Sequence, residues 1–293
     1  MSYLSLNQFL RSHFGQRVQK IPIDLGLSCP NRDPLTRQGG CIYCNSKGSG
    51  TGAFDEGKSI RQQIMEGMKW ARRRYKAKAF MAYFQSFSNT YAPLERLETC
   101  YLQAASFPEI VGVAIGTRPD CVDRQVLDLI QRIFQGRMVW MEYGLQSASD
   151  LTLERINRGH RVQDFIDAVH LTRQYPFFIC AHVIFGLPGE TLKEMMDTVR
   201  LLCKIEIDGV KFHELYVVRA SRLHRLFEKG HYRPISMEEY ARAVAQALRL
   251  LPDHTVIQRL TGDPAPGELV APLWATDKAE IIRRINQYLQ ENH

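Results

Sequence analysis

The chain has 293 residues, a length that fits either two domains or a single α/β barrel of about 250 residues. Hydrophobic residues make up 45% and charged residues 24%, an ordinary globular composition that excludes a disordered or collagen-like chain. Lys and Arg total 38 against 31 Asp and Glu, so the net charge of +7 permits a polyanionic partner but does not require one.

Cysteine usage and hydropathy indicate where the protein resides. Seven cysteines are an odd number and too few for a disulfide framework, so we expect free thiols, some of them as ligands. The first residues mix polar and apolar side chains and do not have the pattern of a signal peptide. No apolar run approaches the ~18 residues that span a bilayer. We therefore expect a cytoplasmic protein with no membrane segment.

Short apolar runs alternate with helical patterns along the chain. The strands of six units are predicted at residues 17–25, 79–85, 110–117, 138–146, 177–186 and 210–218. The intervening helices are predicted at residues 58–75, 94–106, 122–134, 149–157, 162–173 and 192–204. Two further helices, one more strand and a terminal helix are predicted at residues 223–229, 237–250, 254–260 and 277–290.

Strict alternation of strands and helices predicts an α/β protein with a parallel sheet. The strand at 177–186 is apolar on both faces, which is typical of a sheet covered on both sides. Six units are too few for the closed eight-stranded barrel. We therefore predict a partial (β/α)6 barrel in residues 1–235 and a small helical and strand extension in residues 236–293. An open doubly wound sheet is the alternative, and both architectures place chemistry at the carboxyl ends of the strands.

Three cysteines stand in a Gly- and Pro-rich loop, residues 28–57, directly after the first strand. Cys41 and Cys44 have C-x-x-C spacing, and Cys29 lies at the start of the loop. Three thiolates can hold a four-iron cluster and leave one iron open for a substrate or cofactor. A structural zinc needs four ligands, so it would need a distant residue such as His13. The third possibility is loop cysteines that bind nothing.

Segments from nearly the whole chain resemble the radical S-adenosylmethionine (SAM) superfamily. The resemblance is to its YhcC/YtqA-type subfamily, which is related to the catalytic subunit of Elongator. The gap between Cys29 and Cys41 is longer than the superfamily's commonest spacing and is similar to that of the subfamily. The matching segments are KIPIDLGLSCPNRD, GGCIYCNSKGSG, AYFQSFSNTYAP, GTRPDC, EYGLQS, LERINRGH, VIFGLPGE, KFHELYVV and LTGDPAPGELVAPLW.

The resemblance implies the cofactors. Cys29, Cys41 and Cys44 would hold three irons of one [4Fe–4S] cluster, and SAM would chelate the fourth. One electron would then split SAM and give a 5′-deoxyadenosyl radical that abstracts hydrogen from a substrate. An electron donor such as a flavodoxin or ferredoxin is implied as a partner. The oligomeric state and the substrate atom are left open.

The resemblance also implies contacts to SAM near the ends of the strands. Arg158 resembles the arginine that binds the SAM carboxylate, a task that suits a guanidinium fork. Gln146 resembles the glutamine that binds the ribose hydroxyls, and Tyr43 the aromatic residue that shields the cluster. The other predicted cofactor-binding residues are Gln85, Arg118, Glu142, His182, Gly186 and Leu187.

Several of these residues have a second interpretation. Arg118 could instead pair with Asp120, because a buried cation needs a partner. Glu142 has the strand register of Gly144 and Gln146 and so is expected to face the barrel interior. His182 could be an ordinary core residue.

Three further expectations concern the remaining strand ends. Gln85 could contact substrate instead of SAM, while the Gly186–Leu187 backbone would seat the adenine. Of His213 and Glu214, only one can face the interior, because side chains alternate along a strand. Glu190 could cap the helix that follows it.

These observations predict a radical SAM enzyme whose substrate is the wobble uridine of a tRNA, modified at C5. The basic stretches at residues 69–78 and 155–161 suit a phosphate-rich partner, and Arg72 and Arg73 are the predicted tRNA contacts. One alternative is a radical SAM enzyme that acts on a small metabolite or a porphyrin-like substrate. The alternative outside enzymes is a zinc-containing RNA-binding module.

Overall fold

The computed structural model describes residues 3–33, 39–45, 53–265 and 267–291. Its strands, in chain order, are β1 (Leu4–Ser5), β2 (Val18–Ile23), β3 (Ala79–Phe84), β4 (Ile110–Thr117), β5 (Met138–Gln146), β6 (Phe178–Phe185), β7 (Gly209–Glu214), β8 (Val217–Val218), β9 (Val256–Arg259) and β10 (Leu269–Ala271). Eight of these strands form one parallel sheet in the order β1-β9-β7-β6-β5-β4-β3-β2. The short β8 and β10 pair antiparallel in a second sheet.

Helices connect successive strands and cover the outside of the main sheet. They are α1 (Leu6–Phe14), α2 (Ile60–Tyr75), α3 (Leu94–Ala105), α4 (Arg124–Ile133), α5 (Asp150–Arg155), α6 (Val162–Thr172), α7 (Leu192–Lys204), α8 (Arg222–Glu228), α9 (Met237–Leu250) and α10 (Lys278–Gln290). Their starts follow from local chemistry. At α2, for example, the Ser59 hydroxyl accepts from the Gln62 backbone and the Gln62 side chain accepts in return, which satisfies two otherwise free donors.

Side chains alternate between the two faces of the main sheet, and each face belongs to a different apolar core. On β3, Phe80, Ala82 and Phe84 belong to the large apolar core that also contains the outer helices. The intervening Met81 and Tyr83 belong to a smaller core inside the curved sheet. The sheet is therefore buried on both faces, which explains strands that are apolar throughout.

Helix α1 closes one end of the barrel. Its residues Phe9 and Leu10 pack on the first residues of several strands, among them Val18 of β2 and Met138 of β5. The Phe9 ring also meets Trp140 edge-on, with ring centroids 5.6 Å apart. Because the cysteine loop follows the carboxyl end of β2, α1 and this loop lie at opposite ends of the barrel.

The predicted partial α/β barrel is confirmed. The first five predicted strands agree with β2 to β6 within two residues at either end. The sixth prediction joined two elements, because β7 ends at Glu214 and Val217–Val218 pairs with β10 instead. Strand β9, in the predicted C-terminal extension, lies in the main sheet between β7 and β1.

Helix α1 and strands β1 and β10 were not predicted from the sequence. Parts of the predicted cysteine loop, residues 34–38 and 46–52, lie outside the described residues. Within the described residues, none of the helices is both long and apolar enough to cross a bilayer.

Candidate active site

The cysteine loop is fixed by backbone contacts from two neighbouring elements. The Ile42 N–H donates to the Ile156 carbonyl at 3.0 Å, and the Leu223 N–H donates to the Ile42 carbonyl at 2.8 Å. The Asn157 side chain donates to the Gly40 carbonyl at 2.6 Å. Asn157 has a φ of 52°, a left-handed conformation that asparagine tolerates better than most residues. The turn after α5 and the start of α8 therefore position the loop at the barrel mouth.

The thiol of Cys41 lies among hydrogen-bond donors. The Nδ2 atom of Asn31 is 3.4 Å from its Sγ, and Nη1 of Arg158 is 3.7 Å away. The hydrogen bond from Cys44, with help from the Arg158 charge and the Tyr43 hydroxyl, lowers the pKa of Cys41 well below its ordinary value. These surroundings favour the thiolate, which is the form that binds a metal.

The three cysteines fit a multi-iron cluster better than a single metal ion. Among the described residues, no three His, Cys, Asp or Glu side chains are grouped tightly enough to ligate one ion. In an iron–sulfur cluster each thiolate binds a different iron, so the thiolates need not converge on one point. The suggestion that His13 completes a zinc site is wrong, because the His13 ring stacks on Phe9 in α1 at the opposite end of the barrel.

Arg158 and Gln146 converge on Gly144 beside the cysteine loop. Arg158 is buried, and its Nη2 atom donates to the Gly144 carbonyl at 2.8 Å. A Cβ atom at Gly144 would lie 2.6 Å from Arg158 Nη2 and 2.7 Å from Gln146 Nε2, so only glycine allows both side chains to approach. The Arg158 Nε atom is buried and has no hydrogen-bond partner among the described residues. These three residues form a polar cradle that fits SAM, with Arg158 suited to its carboxylate and Gln146 to its ribose hydroxyls.

Of its two predicted roles, Arg118 adopts the ion pair with Asp120 rather than a contact to SAM. Its Nε and Nη2 atoms donate to the Asp120 carboxylate at 2.8 and 2.6 Å, and Nη1 donates to the Arg158 carbonyl at 2.6 Å. This bidentate ion pair compensates a buried cation, as such a group requires. Arg118 therefore holds the backbone of Arg158 in place, and in this arrangement its guanidinium is occupied by protein groups.

Glu142 faces the barrel interior, as its register indicated, but its two lysine partners were not among the predicted site residues. It is fully buried, and its Oε1 atom accepts from Lys20 Nζ at 2.6 Å. Its Oε2 atom accepts from Lys211 Nζ, and lies 2.9 Å from His182 Nε2. Although burial alone would raise the pKa of Glu142, the charges of Lys20 and Lys211 hold it well below its ordinary value.

The positions of the two lysines in the sequence do indicate a buried charge. Each stands at an inward-facing position of its strand, Lys20 on β2 and Lys211 on β7. A charge in such a position needs a buried partner, and Glu142 was the available carboxylate.

His182 therefore belongs to the charged cluster in the barrel interior. Burial, followed in size by the Lys211 charge, lowers its pKa to about 4, so the imidazole is neutral at neutral pH. Its ring centroid lies 5.8 Å from that of His213. Glu214 points the other way, where Thr261 and the Gly262 N–H donate to its carboxylate. The predicted alternation of His213 and Glu214 is confirmed.

The predicted adenine side of the site is apolar and buried. Leu187 lies in one cluster with Ile184 and with Ile42 of the cysteine loop. The Gly186 carbonyl accepts from the Tyr232 hydroxyl at 2.9 Å, so it is already bound within the protein.

Two other residues at strand ends bond to residues at the ends of other strands. Gln85 is half-buried, and its backbone N–H lies 3.5 Å from the Ile23 carbonyl. The prediction that Glu190 caps α7 is wrong. Thr191 caps that helix together with Glu194, and Glu190 instead accepts a hydrogen bond from Ser147.

A cavity of 740 Å³ lies beside the site rather than within the barrel. It lies between the β3–α3 and β4–α4 connections, with Leu27, Tyr91 and Cys121 in its wall. None of the predicted cofactor-binding residues lines it. Burial raises the pKa of the Cys121 thiol to about 12, so this thiol is not an activated nucleophile.

Comparison with known proteins identifies the class. The chain matches the family model of the Radical SAM superfamily over residues 29–202 and that of the Radical_SAM C-terminal domain over residues 207–291. The chain therefore belongs to the radical SAM superfamily, and its cofactors are a [4Fe–4S] cluster and SAM. It is an enzyme, which removes the zinc-containing RNA-binding module from consideration.

Individual relatives refine this placement. Protein YhcC of Escherichia coli (strain K12) is 36% identical over 284 residues, which cover 97% of this chain and 91% of that protein. The tRNA uridine(34) acetyltransferase of Dehalococcoides mccartyi (strain CBDB1) is 29% identical over 186 residues, 62% of this chain but 39% of that protein. The archaeal Methanocaldococcus infernus Elp3 superposes with a TM-score of 0.68 at 15% identity, covering 92% of this chain and 63% of that chain. The predicted YhcC/YtqA-type subfamily is confirmed.

Proposed function

We propose that this radical SAM enzyme modifies C5 of the wobble uridine of a tRNA. The observation that carries the proposal is a basic segment, residues 219–233, which lies against the cysteine loop. It contains four Arg and one Lys but a single Glu. Its Arg222 side chain donates to the Gly40 carbonyl, so the segment borders the mouth through which a substrate must enter. Similarity to the tRNA uridine(34) acetyltransferase supports the same substrate class.

The predicted basic stretch at residues 69–78 is less well placed for a contact with tRNA. The C-terminal end of α2 lies near the amino ends of the strands, where Arg72 pairs with Glu109 at 2.9 Å, one residue before β4. It is therefore remote from the cysteine loop. Phosphate contacts fix the orientation of a nucleic acid. Cations beside the mouth are thus better suited than Arg72 and Arg73 to direct an anticodon loop into the barrel.

In this proposal Cys29, Cys41 and Cys44 hold the iron–sulfur cluster. Arg158 binds the SAM carboxylate, and Gln146 binds the ribose hydroxyls. The family's cofactors, when bound, supply a 5′-deoxyadenosyl radical. The protein's own part is to orient SAM and exclude water. The Arg118–Asp120 pair supports Arg158 from behind. Apolar residues around Ile184 shield the site, and the outer helices cover the barrel wall.

The location and the reductant complete the proposal. A cytoplasmic site agrees with cysteines that are all unpaired among the described residues. The reaction needs a one-electron donor, for which a flavodoxin or ferredoxin is suited.

Nucleoside analysis tests the substrate directly. Total tRNA from cells with and without the gene would be digested and compared by liquid chromatography and mass spectrometry. We expect the deletion strain to lack one C5-substituted uridine and to regain it with the wild-type gene. The Cys41→Ala gene should fail to restore it, while the Cys203→Ala gene should succeed. Identical nucleoside profiles in the two strains would reject tRNA as the substrate.

A further inference from the structure

The charged cluster in the barrel interior contains more positive than negative charge. Glu142 is its carboxylate, and the ammonium groups of Lys20 and Lys211 both bind to it. His182 is neutral at neutral pH and therefore adds nothing to this balance. Among the described residues of this cluster, a single anion therefore faces at least two cations.

Two buried polar atoms beside the cluster lack partners. Lys20 Nζ donates to Gln258 Oε1 at 2.6 Å, but the Nε2 atom of the same Gln258 amide has no hydrogen-bond partner among the described residues. The Nε2 atom of His213 is buried and unpartnered as well. A buried polar group without a partner costs about 1–3 kcal/mol. The Gln258 amide nitrogen therefore points to a ligand that supplies a hydrogen-bond acceptor, and the neutral His213 ring can donate to or accept from the same ligand.

The cluster is sealed below and open above. Beneath it, Trp140 and the Phe9 ring of α1 close the amino end of the barrel. Glu142 is inaccessible, whereas the side chains of Lys20 and His182 keep 15% and 19% of their surface exposed. The open side faces the carboxyl ends of the strands, where Gly144 and Gln146 follow on β5. At about 3.3 Å per residue, the cluster lies roughly 7–13 Å below these two residues.

We propose that Lys20, Lys211 and Gln258 bind the carboxylate of a small organic acid, which reacts as a substrate below the SAM site. A monoanion would balance the excess charge and accept from the free Gln258 amide. This position suits the carboxylate of a substrate. With its carboxylate bound by the charged cluster, the rest of a small molecule would extend toward Gly144 and Gln146, where SAM is proposed to bind. This inference rests on radical SAM membership and does not require tRNA to be the acceptor.

A phosphate is the less suitable anion here. Phosphate sites commonly use several backbone N–H groups of a loop or helix start. The groups of this cluster stand on strands, whose backbone donors already pair within the sheet. Only side-chain donors are available, which suits the two oxygens of a carboxylate.

The test uses the whole enzyme, reconstituted with its [4Fe–4S] cluster and saturated with SAM. The SAM carboxylate then occupies its own site and does not compete with the added anion. Acetate, inorganic phosphate and chloride would be titrated at constant ionic strength while Tm is followed, since a ligand of the folded state raises Tm by mass action. We expect acetate to raise Tm more than phosphate or chloride. Lys211→Met should raise the acetate concentration that gives a half-maximal increase in Tm at least tenfold. The exposed Lys193→Met should leave this concentration unchanged.

A second variant keeps the test decisive if Lys211→Met does not fold. Gln258→Glu introduces a carboxylate beside Lys20 without removing a cation, so it should raise the Tm of the ligand-free enzyme and abolish the acetate response. An unchanged acetate response in Gln258→Glu would overturn the proposal. So would a wild-type response to acetate no greater than that to chloride, and a larger response to phosphate would overturn the carboxylate assignment. No arm contains tRNA, so failure here is separate from failure of the tRNA proposal.

Discussion

The guanidinium of Arg158 lies 3.7 Å from the thiol of Cys41, measured from Nη1 to Sγ. The same side chain donates to the Gly144 carbonyl on β5, so it joins the cysteine loop to the barrel wall. This arrangement places one fixed cation between the proposed cluster ligands and the proposed SAM site. It makes Arg158 the first residue to test.

Arg158→Ala should keep the cluster but weaken SAM binding. A charge-assisted contact is worth about 1.5–3 kcal/mol, so the dissociation constant of SAM should rise about 10- to 150-fold. Calorimetry on the reconstituted protein gives the affinity, and the visible absorption reports the cluster. Arg155→Ala is the matched control, because Arg155 bonds to the Pro188 carbonyl away from Cys41. Unchanged SAM affinity in Arg158→Ala would remove this residue from the site.

Changing Cys29, Cys41 or Cys44 singly to Ala should abolish both the brown chromophore and SAM cleavage, because each thiolate holds a different iron. Cys203→Ala is the control, since its thiol contacts the Leu250 carbonyl on the outer helices. Iron content and the visible spectrum are the measurements. Iron retained at the wild-type level in Cys44→Ala would contradict the ligand assignment.

Gly144→Ala should displace Arg158 and Gln146 together. The added methyl would lie under 3 Å from both side chains, and neither contact can persist without movement. We expect weaker SAM binding by at least tenfold with the cluster intact. The control is Gly136→Ala, whose added methyl meets open space and whose φ of 75° adds only local backbone strain at the turn after α4. Equal SAM affinity in the two variants would show that the cradle around Gly144 does not bind SAM.

The sequence was sufficient for the barrel because its signals are local. Strands β2 to β6 are apolar runs bounded by turns, and the cysteines stand in one continuous loop. Helix α1 escaped prediction because its role depends on distant strand ends: Phe9 packs on Trp140, which is far away in sequence. Its short amphipathic pattern gives no sign of that contact.

Pairing inside the barrel was harder to predict than the fold. The register placed Glu142 in the interior correctly, but its partners Lys20 and Lys211 lie on strands that are distant in sequence. Alternation states which face a residue occupies and not which residues meet there. The same limit applied to Arg118, whose pairing with Asp120 was one of two open interpretations until the geometry favoured it.

Glu142→Gln should destabilise the protein by about 3–5 kcal/mol at neutral pH, because two buried lysines then lose their counter-charge. The folded-state pKa of Glu142 lies below its unfolded value, so its contribution to stability is complete above the unfolded pKa of about 4.3 and is lost as the pH falls through the folded pKa. The difference in the free energy of unfolding between Glu142→Gln and the wild type should therefore shrink in acid. Urea unfolding at pH 7, 4 and 3 measures it.

The control for this variant is Glu228→Gln. Glu228 is exposed and lies 3.5 Å from His224. Such a surface pair contributes at most about 1 kcal/mol. If Glu142→Gln were as stable as Glu228→Gln at neutral pH, the interior charge cluster would not be formed as described.

Charge reversal beside the mouth should weaken tRNA binding, and the same change at the far end of the barrel should not. Arg225 and Lys229 are exposed on or just after α8, near the cysteine loop. Arg225→Glu with Lys229→Glu should raise the dissociation constant for tRNA and lower the slope of log Kd against log salt by about 1.5, given ~0.7–0.9 per lost phosphate contact.

The double change Arg72→Glu with Arg73→Glu is the matched control for that pair. It alters the charge by the same amount on α2, at the opposite end of the barrel, which reverses the expectation drawn from the sequence alone. SAM cleavage without tRNA should stay at the wild-type rate in both double variants, because neither pair contacts the proposed cofactor residues. Filter binding at four salt concentrations measures the slopes. Greater loss from the α2 pair than from the α8 pair would place the tRNA on the other end of the barrel and contradict entry through the cysteine-loop mouth.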